Sequence, residues 1–327
     1  MKAIVQDRYG SPDVLELTEI ATPEPGEGEV LVRVRAAAVN AADWHVMRGD
    51  PYLARLSIGL TRPRARVRGQ DFAGQVESVG PDVTRFAPGD EVYGNLSWTE
   101  GAFAEYVRAP ADRVAAKPAR LTYEEAAALP LAGMTALQGL RDAAEVRPGQ
   151  RVLINGASGG VGLFAVQLGK AFGAEVTGVC RTRNIDLVRS AGADHVIDYT
   201  EDDFTRSGRS YDVVFDLVAN RSLRDLRRTL APGGTLVLSG GGVFEGGSLI
   251  GPMGLIIRTR AASRFVRDRL IVLMTKSDGA GLAALTELAE AGKITPVVER
   301  TYPLAETPAA IRHVETEHAR AKVVITV

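Results

Sequence analysis

Residues 151–170 read Arg151-Val-Leu-Ile-Asn-Gly-Ala-Ser-Gly-Gly-Val-Gly-Leu-Phe-Ala-Val-Gln-Leu-Gly-Lys170, and this stretch decides the fold. It opens with a short apolar run, residues 152–154, which has the length of a buried strand. A glycine-dense turn follows, and apolar residues then return at helical spacing until Gly173 ends the pattern. Strand, glycine turn and helix in this order predict the start of a βαβ unit.

The glycine turn has the chemistry of a phosphate site. Its backbone N–H groups lie at a helix N-terminus, where the helix dipole favours an anion, and glycine has no Cβ to keep a pyrophosphate away. The dinucleotide fingerprint G-x-G-x-x-G finds Ala157, Gly159 and Gly162 at its glycine positions, so the first glycine is missing. A plain turn is the alternative for the motif alone, and the elements on both sides favour the dinucleotide site. The residues predicted to bind the cofactor here are Ser158, Gly159, Gly160, Val161 and Gly162.

Length and composition are those of an ordinary globular protein with room for two domains. The chain has 327 residues, of which 45% are hydrophobic and 24% charged, with a net charge of −1. This charge gives no argument for nucleic acid or an anionic membrane, and no apolar stretch reaches the ~18 residues of a spanning helix. The N-terminus lacks the apolar core of a signal peptide, and the single Cys180 excludes an internal disulfide. We expect a cytoplasmic protein without a membrane or nucleic-acid partner.

The first 118 residues are β-rich. Short strand-like runs are separated by turns rich in proline and glycine, which is typical of a barrel or sandwich. The predicted strands are 3–6, 29–38, 73–79, 91–93 and 104–109. Helices are then predicted over 121–129 and 133–140, with Thr122 as an N-cap and Glu125 as its capping-box partner.

After the glycine turn, strands and helices alternate, which predicts a parallel, doubly wound sheet. The predicted strands are 175–180, 195–199, 211–218, 235–239 and 270–274, with helices at 184–190 and 222–230. Ligands bind such sheets at the carboxyl ends of the strands. Val218 ends one strand, and Gly240 and Gly241 follow another, so we assign these three residues to the cofactor site. The C-terminal part predicts strands at 294–302 and 322–327 and helices at 281–291 and 307–316.

Segments along nearly the whole chain carry a family resemblance. They are Asn40-Ala-Ala-Asp43, Gly69-Gln-Asp-Phe-Ala-Gly74, Pro88-Gly-Asp90, Gly101-Ala-Phe-Ala-Glu-Tyr106, Gly133-Met-Thr-Ala136, Gly156-Ala-Ser-Gly-Gly-Val-Gly162, Gly192-Ala-Asp-His-Val-Ile-Asp-Tyr199 and Gly233-Gly234. In this order and spacing, the chain resembles the zinc-independent medium-chain dehydrogenases/reductases of the quinone oxidoreductase (zeta-crystallin-like) group. The resemblance implies an α/β protein with a GroES-like β-rich domain over 1–120 and 278–327 and a Rossmann domain over 121–277. It also implies an active-site cleft between the domains and a homodimer.

Zinc distinguishes alcohol dehydrogenation from reduction, since a catalytic zinc typically needs three protein ligands from Cys, His and Asp or Glu. Zinc-bearing members of the family carry a His-Glu pair where this chain has Gln70-Asp71, and a cysteine where it has Val39-Asn40. Their four structural cysteines are absent too. No ligand spacing relates the histidines, which are His45, His195, His313 and His318. We predict no metal site, and we expect His313 and His318 to face solvent on or near the last helix.

The remaining chemistry is hydride transfer from a nicotinamide to a quinone or an activated C=C bond. The acceptor needs a hydrogen-bond donor near its carbonyl oxygen, and Asn40, Trp44 and Tyr52 are candidates in the first domain. The resemblance puts Asn40 and Tyr52 in the nicotinamide and substrate pocket, and Thr135 on a helix that faces the cofactor. The alternatives are a polar turn residue at position 40, a surface-loop tyrosine at position 52 and a buried hydroxyl bonded to its own helix at position 135.

The second strand after the turn ends Val179-Cys-Arg-Thr-Arg183, without the acidic residue that an NAD site expects about 20 residues past the glycines. Guanidinium groups form charge-assisted hydrogen bonds to a 2′-phosphate, so we predict NADPH as the cofactor. Arg183 is the first choice because relatives often keep a basic residue there. Arg181 is the second, and Tyr199 is a further donor from the next strand end.

The sequence therefore predicts a zinc-free, NADPH-dependent oxidoreductase that reduces a quinone or an enone-type C=C bond. Two alternatives stay open: an NADPH-binding sensor or structural protein with little turnover, and an alcohol dehydrogenase. The arginine-rich runs 62–68 and 258–269 are interpreted as solvated faces or a lip of the cleft rather than a nucleic-acid surface, because the chain is nearly neutral.

Overall fold

A computed structural model gives the fold and describes residues 1–97, 101–240, 253–316 and 319–327. Within these ranges the chain forms two compact units, one from residues 1–134 and 276–327 and the other from residues 135–240 and 253–275. Each unit contains its own main sheet. Among the helices so described, none has the length and apolar character to cross a membrane.

The secondary structure elements are numbered in chain order. The described strands are β1 Lys2–Gln6, β2 Leu15–Glu19, β3 Glu29–Val39, β4 Asp71–Val79, β5 Glu91–Asn95, β6 Tyr106–Pro110, β7 Val114–Ala116, β8 Arg151–Asn155, β9 Glu175–Cys180, β10 His195–Asp198, β11 Tyr211–Asp216, β12 Leu230–Leu238, β13 Arg269–Val272, β14 Val298–Pro303 and β15 Lys322–Thr326. The described helices are α1 Ala41–Arg48, α2 Arg55–Ile58, α3 Tyr123–Ala127, α4 Pro130–Leu137, α5 Gly160–Ala171, α6 Ile185–Ser190, α7 Leu223–Arg228, α8 Met253–Ala262, α9 Gly279–Glu290 and α10 Thr307–Thr316.

The unit that contains the glycine turn is built on a six-stranded parallel sheet. Its spatial order is β10-β9-β8-β11-β12-β13. Counted from β8, this is the order 3-2-1-4-5-6 of the dinucleotide-binding fold. Strands of such a sheet are covered on both faces, which is why residues 152–154 form an uninterrupted apolar run and are fully buried. The predicted doubly wound sheet is confirmed.

The other unit is β-rich, as predicted. Its main sheet has the order β14-β15-β3-β4-β5-β7, with β6 paired to β3, and β1 and β2 form a separate antiparallel pair. The C-terminal strand β15 runs antiparallel to β3, so the end of the chain completes this sheet. The long strand β3 is thus the common neighbour of elements from both ends of the sequence.

Local sequence signals predicted some helix and strand ends correctly and missed several elements. The capping box of α3 is confirmed, since Thr122 Oγ1 accepts the Glu125 N–H at 3.2 Å and the Glu125 carboxylate accepts the Thr122 N–H at 2.9 Å. The strand predicted over 211–218 ends earlier, at Asp216, where the side chain bonds the following turn. The elements that the sequence analysis did not predict are β2, β7, α1, α2 and α8.

Candidate active site

Two glycines shape the turn between β8 and α5. Gly156 has a φ of 89°, which a residue with a side chain rarely adopts. A Cβ at Gly162 would lie 2.7 Å from the Cα of Ala157 and closer still to the carbonyl oxygen of Gly156. The helix therefore packs directly on the turn, and both positions need glycine.

Unused backbone donors lie at the N-terminus of α5, a helix of 12 residues. Gly159 is its N-cap, and no side chain caps the first turn. Within the described part of the chain, no acceptor bonds the N–H groups of Ser158, Gly160, Val161 or Gly162. A Cβ at Gly159 would meet nothing nearer than a backbone oxygen at 3.5 Å. Four donors with open space beside them fit the pyrophosphate of a dinucleotide.

A polar network joins the carboxyl ends of β8 and β11. The Asn155 amide donates to Oδ1 of Asp216 at 2.8 Å and to Oδ1 of Asn220 at 3.1 Å. The same Asp216 oxygen accepts the N–H groups of Val218 and Ala219 at 3.1 and 3.2 Å. Asp216 is fully buried, and burial raises the pKa of its carboxyl. This network fixes the turn after β11. The network was not predicted from the sequence, although a polar residue at the end of each of two apolar strands was the available signal.

Val218 lies beside the glycine turn, and Gly240 lies beside Val218. A Cβ at Gly156 would be 2.8 Å from Cγ2 of Val218, and a Cβ at Gly240 would be 2.8 Å from the backbone nitrogen of Val218. Gly241 lies outside the described residues. The structure thus brings two of these predicted residues to the carboxyl edge of the sheet, while their contact with a cofactor stays a prediction.

Arg181, Arg183 and Tyr199 follow the ends of two neighbouring strands. Strands β9 and β10 pair in parallel with Cys180 opposite Asp198, so Arg181 and Tyr199 are the next residues on each. All three predicted side chains are exposed, Tyr199 to 42%. Two exposed guanidinium groups and a phenol at adjacent strand ends fit a 2′-phosphate.

Asn184 connects this arginine segment to the glycine turn. Its N–H donates to the carbonyl oxygen of Arg181 at 2.8 Å, which closes a tight turn over residues 182–184. Its side-chain Nδ2 donates to Oγ of Ser158 at 3.0 Å. Asn184 was not among the predicted site residues, since nothing in a linear pattern relates it to a residue 26 positions earlier.

In the other unit, Asn40 belongs to a buried network of amides and charges. Its Nδ2 donates to Oδ2 of Asp71 at 2.9 Å and to the carbonyl oxygen of Ala38 at 3.4 Å. Its Oδ1 accepts from Nζ of Lys322 at 2.6 Å. The Asn95 amide donates to the second oxygen of Asp71 at 2.6 Å. The donor and acceptor groups of the Asn40 side chain are thus engaged within the unit.

Burial sets the protonation of this network. Asp71 and Lys322 lie 3.7 Å apart, and burial raises the pKa of Asp71 and lowers that of Lys322 against their mutual attraction. Asp43, in the first turn of α1, accepts the N–H of Asn40 at 2.7 Å. Burial, together with the nearby charge of Asp71, raises the pKa of Asp43 to about 7. The core of this unit therefore contains a carboxyl that titrates near neutrality.

Tyr52 lies on the surface of the same unit, where 45% of it is exposed. The Arg55 guanidinium lies 4.6 Å from the centre of the Tyr52 ring and 4.5 Å from that of Tyr9. Arg55 is itself held by a hydrogen bond from Nε to the carbonyl oxygen of Gly49 at 2.9 Å. These cation–π contacts orient the Tyr52 ring, and no described residue bonds its phenol oxygen.

Thr135 and His45 are engaged in local contacts. Oγ1 of Thr135 forms a 2.8 Å hydrogen bond with Oγ1 of Thr275, and Thr135 is buried. The His45 ring stacks on Trp44 with centroids 3.5 Å apart, and its Nδ1 lies 3.0 Å from the carbonyl oxygen of Asp50. This bond joins the Thr135 hydroxyl to a residue outside α4.

The expectation that His313 faces solvent is wrong. Only 11% of its side chain is exposed, and its Nε2 lies 3.4 Å from Oε2 of Glu299. Its ring also lies near Tyr302, with centroids 6.3 Å apart, because this side of α10 packs against β14. His318 lies outside the described residues.

Metal ligands are not clustered in the part of the chain that the structure describes, where no group of three or more His, Cys, Asp or Glu side chains is placed to hold an ion. At Gln70-Asp71 the Asp71 carboxylate is occupied by the amides and ammonium described above. The absence of zinc remains a prediction.

Comparisons with known proteins cover both parts of the chain. An alcohol dehydrogenase GroES-like domain matches residues 26–119, and a zinc-binding dehydrogenase domain matches residues 191–325. The mitochondrial NAD(P)H oxidoreductase RTN4IP1 of Mus musculus is 34% identical over 100% of this chain and 89% of its own length. The chloroplastic NADPH-dependent alkenal/one oxidoreductase of Arabidopsis thaliana is 34% identical over 99% of this chain and 79% of its own length. The structure of the quinone oxidoreductase from Coxiella burnetii has a TM-score of 0.86 and 32% identity, covering 100% of this chain and 99% of that one.

A GroES-like unit and a parallel-sheet unit with a dinucleotide turn define a nicotinamide-dependent dehydrogenase or reductase. Within that class, the chain belongs to the quinone oxidoreductase group of the medium-chain dehydrogenase/reductase family. The fold class and the family resemblance inferred from the sequence are confirmed.

Proposed function

We propose that this protein is an NADPH-dependent oxidoreductase that transfers a hydride to a quinone or to an activated C=C bond, without zinc. The arginine pair at the end of β9, tied through Asn184 to a turn with four unused N–H donors, carries the cofactor assignment. The acceptor class is supported by the similarity to a quinone oxidoreductase and to an alkenal/one oxidoreductase.

Each part of the cofactor has proposed contacts. The pyrophosphate is bound by Ser158 and by the N–H groups of Gly160, Val161 and Gly162, beside the open position at Gly159. Arg183, Arg181 and Tyr199 would bind the 2′-phosphate, and Val218, Gly240 and Gly241 are assigned to the cofactor site from the sequence. When bound, the nicotinamide supplies the hydride.

Tyr52 is the proposed donor to the acceptor's carbonyl oxygen. A carbonyl that gains negative charge during hydride transfer is stabilised by a fixed hydrogen-bond donor. Of the three predicted catalytic residues, Asn40 and Thr135 already use their polar side-chain atoms within the protein. The Tyr52 phenol is exposed, and Arg55 orients its ring. Asn40 and Thr135 would contact cofactor or substrate only after these bonds rearrange. Solvent supplies the proton that completes the reduction.

Alcohol dehydrogenation with zinc is the competing chemistry, and the match to a zinc-binding dehydrogenase domain is the observation that favours it. The position of the family's zinc ligands holds Asn40, Gln70 and Asp71, and the hydrogen bonds of Asn40 and Asp71 are internal. An amide and a carboxylate bonded to an ammonium form a poor ligand set for zinc, which binds sulfur, imidazole and carboxylate.

Assembly and location are further parts of the proposal. The homodimer is supported by the family and by the apolar edge strand β13. The cytoplasmic location stays a prediction from the sequence, since relatives include mitochondrial and chloroplastic proteins.

The test is oxidation of NADPH by chelator-treated protein with a panel of short-chain quinones and conjugated enones, repeated with NADH and accompanied by zinc analysis. We expect turnover that survives chelation and prefers NADPH. Stoichiometric zinc with activity lost on its removal would support the alcohol dehydrogenase. Tight NADPH binding without turnover of any acceptor would instead support the binding protein.

A further inference from the structure

Asn184 is a buried amide at the start of α6. It is 5% exposed, and its backbone is fixed by the bond from its N–H to Arg181. Its side chain does not cap the helix that it precedes. Its one hydrogen bond among the described residues is the 3.0 Å contact from Nδ2 to the Ser158 hydroxyl. A helix cap therefore does not account for the amide.

The direction of this bond determines what Ser158 can do. An amide NH₂ only donates, whereas a hydroxyl has one hydrogen and two lone pairs. Because Ser158 Oγ accepts from Asn184, its own hydrogen is left for a different acceptor. Ser158 lies in the glycine turn among N–H groups that no described residue bonds. A phosphate oxygen at the turn would be such an acceptor.

The amide is retained at a cost in stability. The Oδ1 atom of Asn184 is buried and has no hydrogen-bond partner among the described residues. A buried acceptor without a partner destabilises a fold, so stability does not explain the choice of asparagine.

We infer that Asn184 is a positioning residue for the cofactor: its Nδ2 fixes the Ser158 hydroxyl so that the O–H donates to the pyrophosphate. The inference rests on the proposed NADPH function. The turn over residues 181–184 would then act on both phosphate sites: Asn184 positions Ser158 at the pyrophosphate, and the arginines of the same turn are proposed to bind the 2′-phosphate. The pyrophosphate is common to NADPH and NADH, whereas the 2′-phosphate is not. Asn184 therefore acts on both cofactors equally.

The experiment is a double-mutant cycle on the full chain, with the Kd of NADPH and of NADH measured by calorimetry. The variants are Ser158→Ala, Asn184→Ala and the double substitution, with thermal unfolding of each free protein. Ser190→Ala is the matched control, because that exposed hydroxyl bonds its own helix at the Asp186 carbonyl. Asn184→Leu, which fills the buried site without a polar atom, is the second variant if Asn184→Ala does not fold.

We expect Ser158→Ala to raise both Kd values about tenfold, because the variant loses one hydrogen bond to a charged group. Asn184→Ala should raise both by about threefold to tenfold, and the double variant should bind no worse than Ser158→Ala. Ser190→Ala should bind as the wild type does. Asn184→Leu should unfold at the wild-type temperature or above and still bind both cofactors more weakly.

Three results would overturn the inference. In the first, the full effect of Asn184→Ala persists in the Ser158→Ala background, so that no coupling exists. In the second, only NADPH binding weakens, which would mean that Asn184 acts through the arginines. In the third, the variants bind like the wild type, and then the proposed function stands while the inference fails. A wild-type protein that binds neither dinucleotide would contradict the proposed function itself, and the inference with it.

Discussion

In the proposed site, Arg183 distinguishes NADPH from NADH. Its guanidinium would form charge-assisted hydrogen bonds with the 2′-phosphate, which NADH lacks. We expect Arg183→Ala to raise the KM for NADPH about tenfold or more and to leave the KM for NADH nearly unchanged. Steady-state kinetics with both cofactors measures this, and Arg181→Ala in parallel shows which arginine dominates.

The control for this prediction is Arg189→Ala. This arginine is exposed on α6 and pairs weakly with Asp186 at 3.9 Å, away from the strand ends. It should leave both KM values unchanged. Equal changes for NADPH and NADH in Arg183→Ala would contradict the assignment of a 2′-phosphate contact.

Asp43 makes the stability of the protein depend on pH in an unusual direction. Burial raises its pKa to about 7, whereas an unfolded aspartate titrates near 3.9. Between these values the folded state holds a proton that the unfolded state has lost, so this group's stabilisation is complete below about pH 4 and is lost as pH rises through 7. The difference corresponds to roughly 4 kcal/mol.

Asp43→Asn, which has the same shape and no charge, should flatten this dependence. Urea unfolding at several pH values between 4 and 8 measures the free energy of unfolding of both proteins. The stability of the variant relative to wild type should rise with pH. Asp186→Asn, on a carboxyl that is 99% exposed, is the control. A wild-type-minus-variant difference that stays constant across this range would contradict the prediction.

Asn40 illustrates what the sequence cannot supply at the scale of a residue. The sequence shows that Asn40 lies in a family motif, but Lys322, whose ammonium bonds the Asn40 amide oxygen, lies 282 residues away. Only the antiparallel pairing of β15 with β3 brings the two together. The sequence could predict that Asn40 lies in the first domain, and it could not predict that its side chain is already engaged. The surface position of Tyr52 was foreseen as the alternative to a pocket residue.

Among the elements, the glycine turn and α5 contain one glycine that is needed for packing, Gly162, and one that is proposed to be needed for binding, Gly159. A Cβ at Gly162 would collide with the turn, so Gly162→Ala should destabilise the protein by about 1–3 kcal/mol. Gly159 has space for a Cβ and a φ of −78°, so Gly159→Ala should cost less than about 1 kcal/mol, as for a changed N-cap. Its Cβ would occupy the proposed pyrophosphate site, and NADPH binding should weaken at least tenfold.

Thermal unfolding and NADPH titration of the two variants test this pair. A Gly159→Ala protein that binds NADPH like the wild type would contradict the phosphate site at this turn. A Gly162→Ala protein that unfolds at the wild-type temperature would contradict the close packing of α5 on Gly156.

The elements that the sequence predicted best are those with a local cause. The strands of the parallel sheet are covered on both faces, so each reads as an apolar run, and β8, β9 and β10 lie within a residue or two of their predicted ends. Helix α1 was missed, although Asn40 at its N-cap and Asp43 three residues later form a capping signal. In β2, Leu15 is buried and Leu17 is 43% exposed, so its apolar residues do not share one covered face.

At the scale of the whole molecule, the sequence predicted two kinds of sheet, and the structure has both. What it could not predict is which side chains from distant elements form hydrogen bonds with one another at the carboxyl edge of the parallel sheet. The contact of Asn184 with Ser158 and the network of Asn155 with Asp216 both depend on the spatial order of parallel strands. Strand order follows from the fold and not from any local pattern, so the sequence shows a polar residue at the end of β8 and of β11 but not that the two side chains meet.

The proposed dimer assigns a role to β13. This strand pairs with β12 alone among the described strands, and its sequence Leu270-Ile-Val272 is apolar, unlike the other edge strand β10. After Arg269, which pairs with Glu145 at 3.2 Å, no residue of β13 is charged, and such an edge offers backbone groups to a second copy. Light scattering should therefore give about twice the 34.8 kDa of one chain.

Ile271→Lys should reduce the mass to that of one chain, because a charge on an edge strand opposes pairing. Val298→Lys, on the edge strand β14 of the other unit, should leave the dimer intact. A monomeric wild type, or equal dissociation by both substitutions, would contradict assembly through β13.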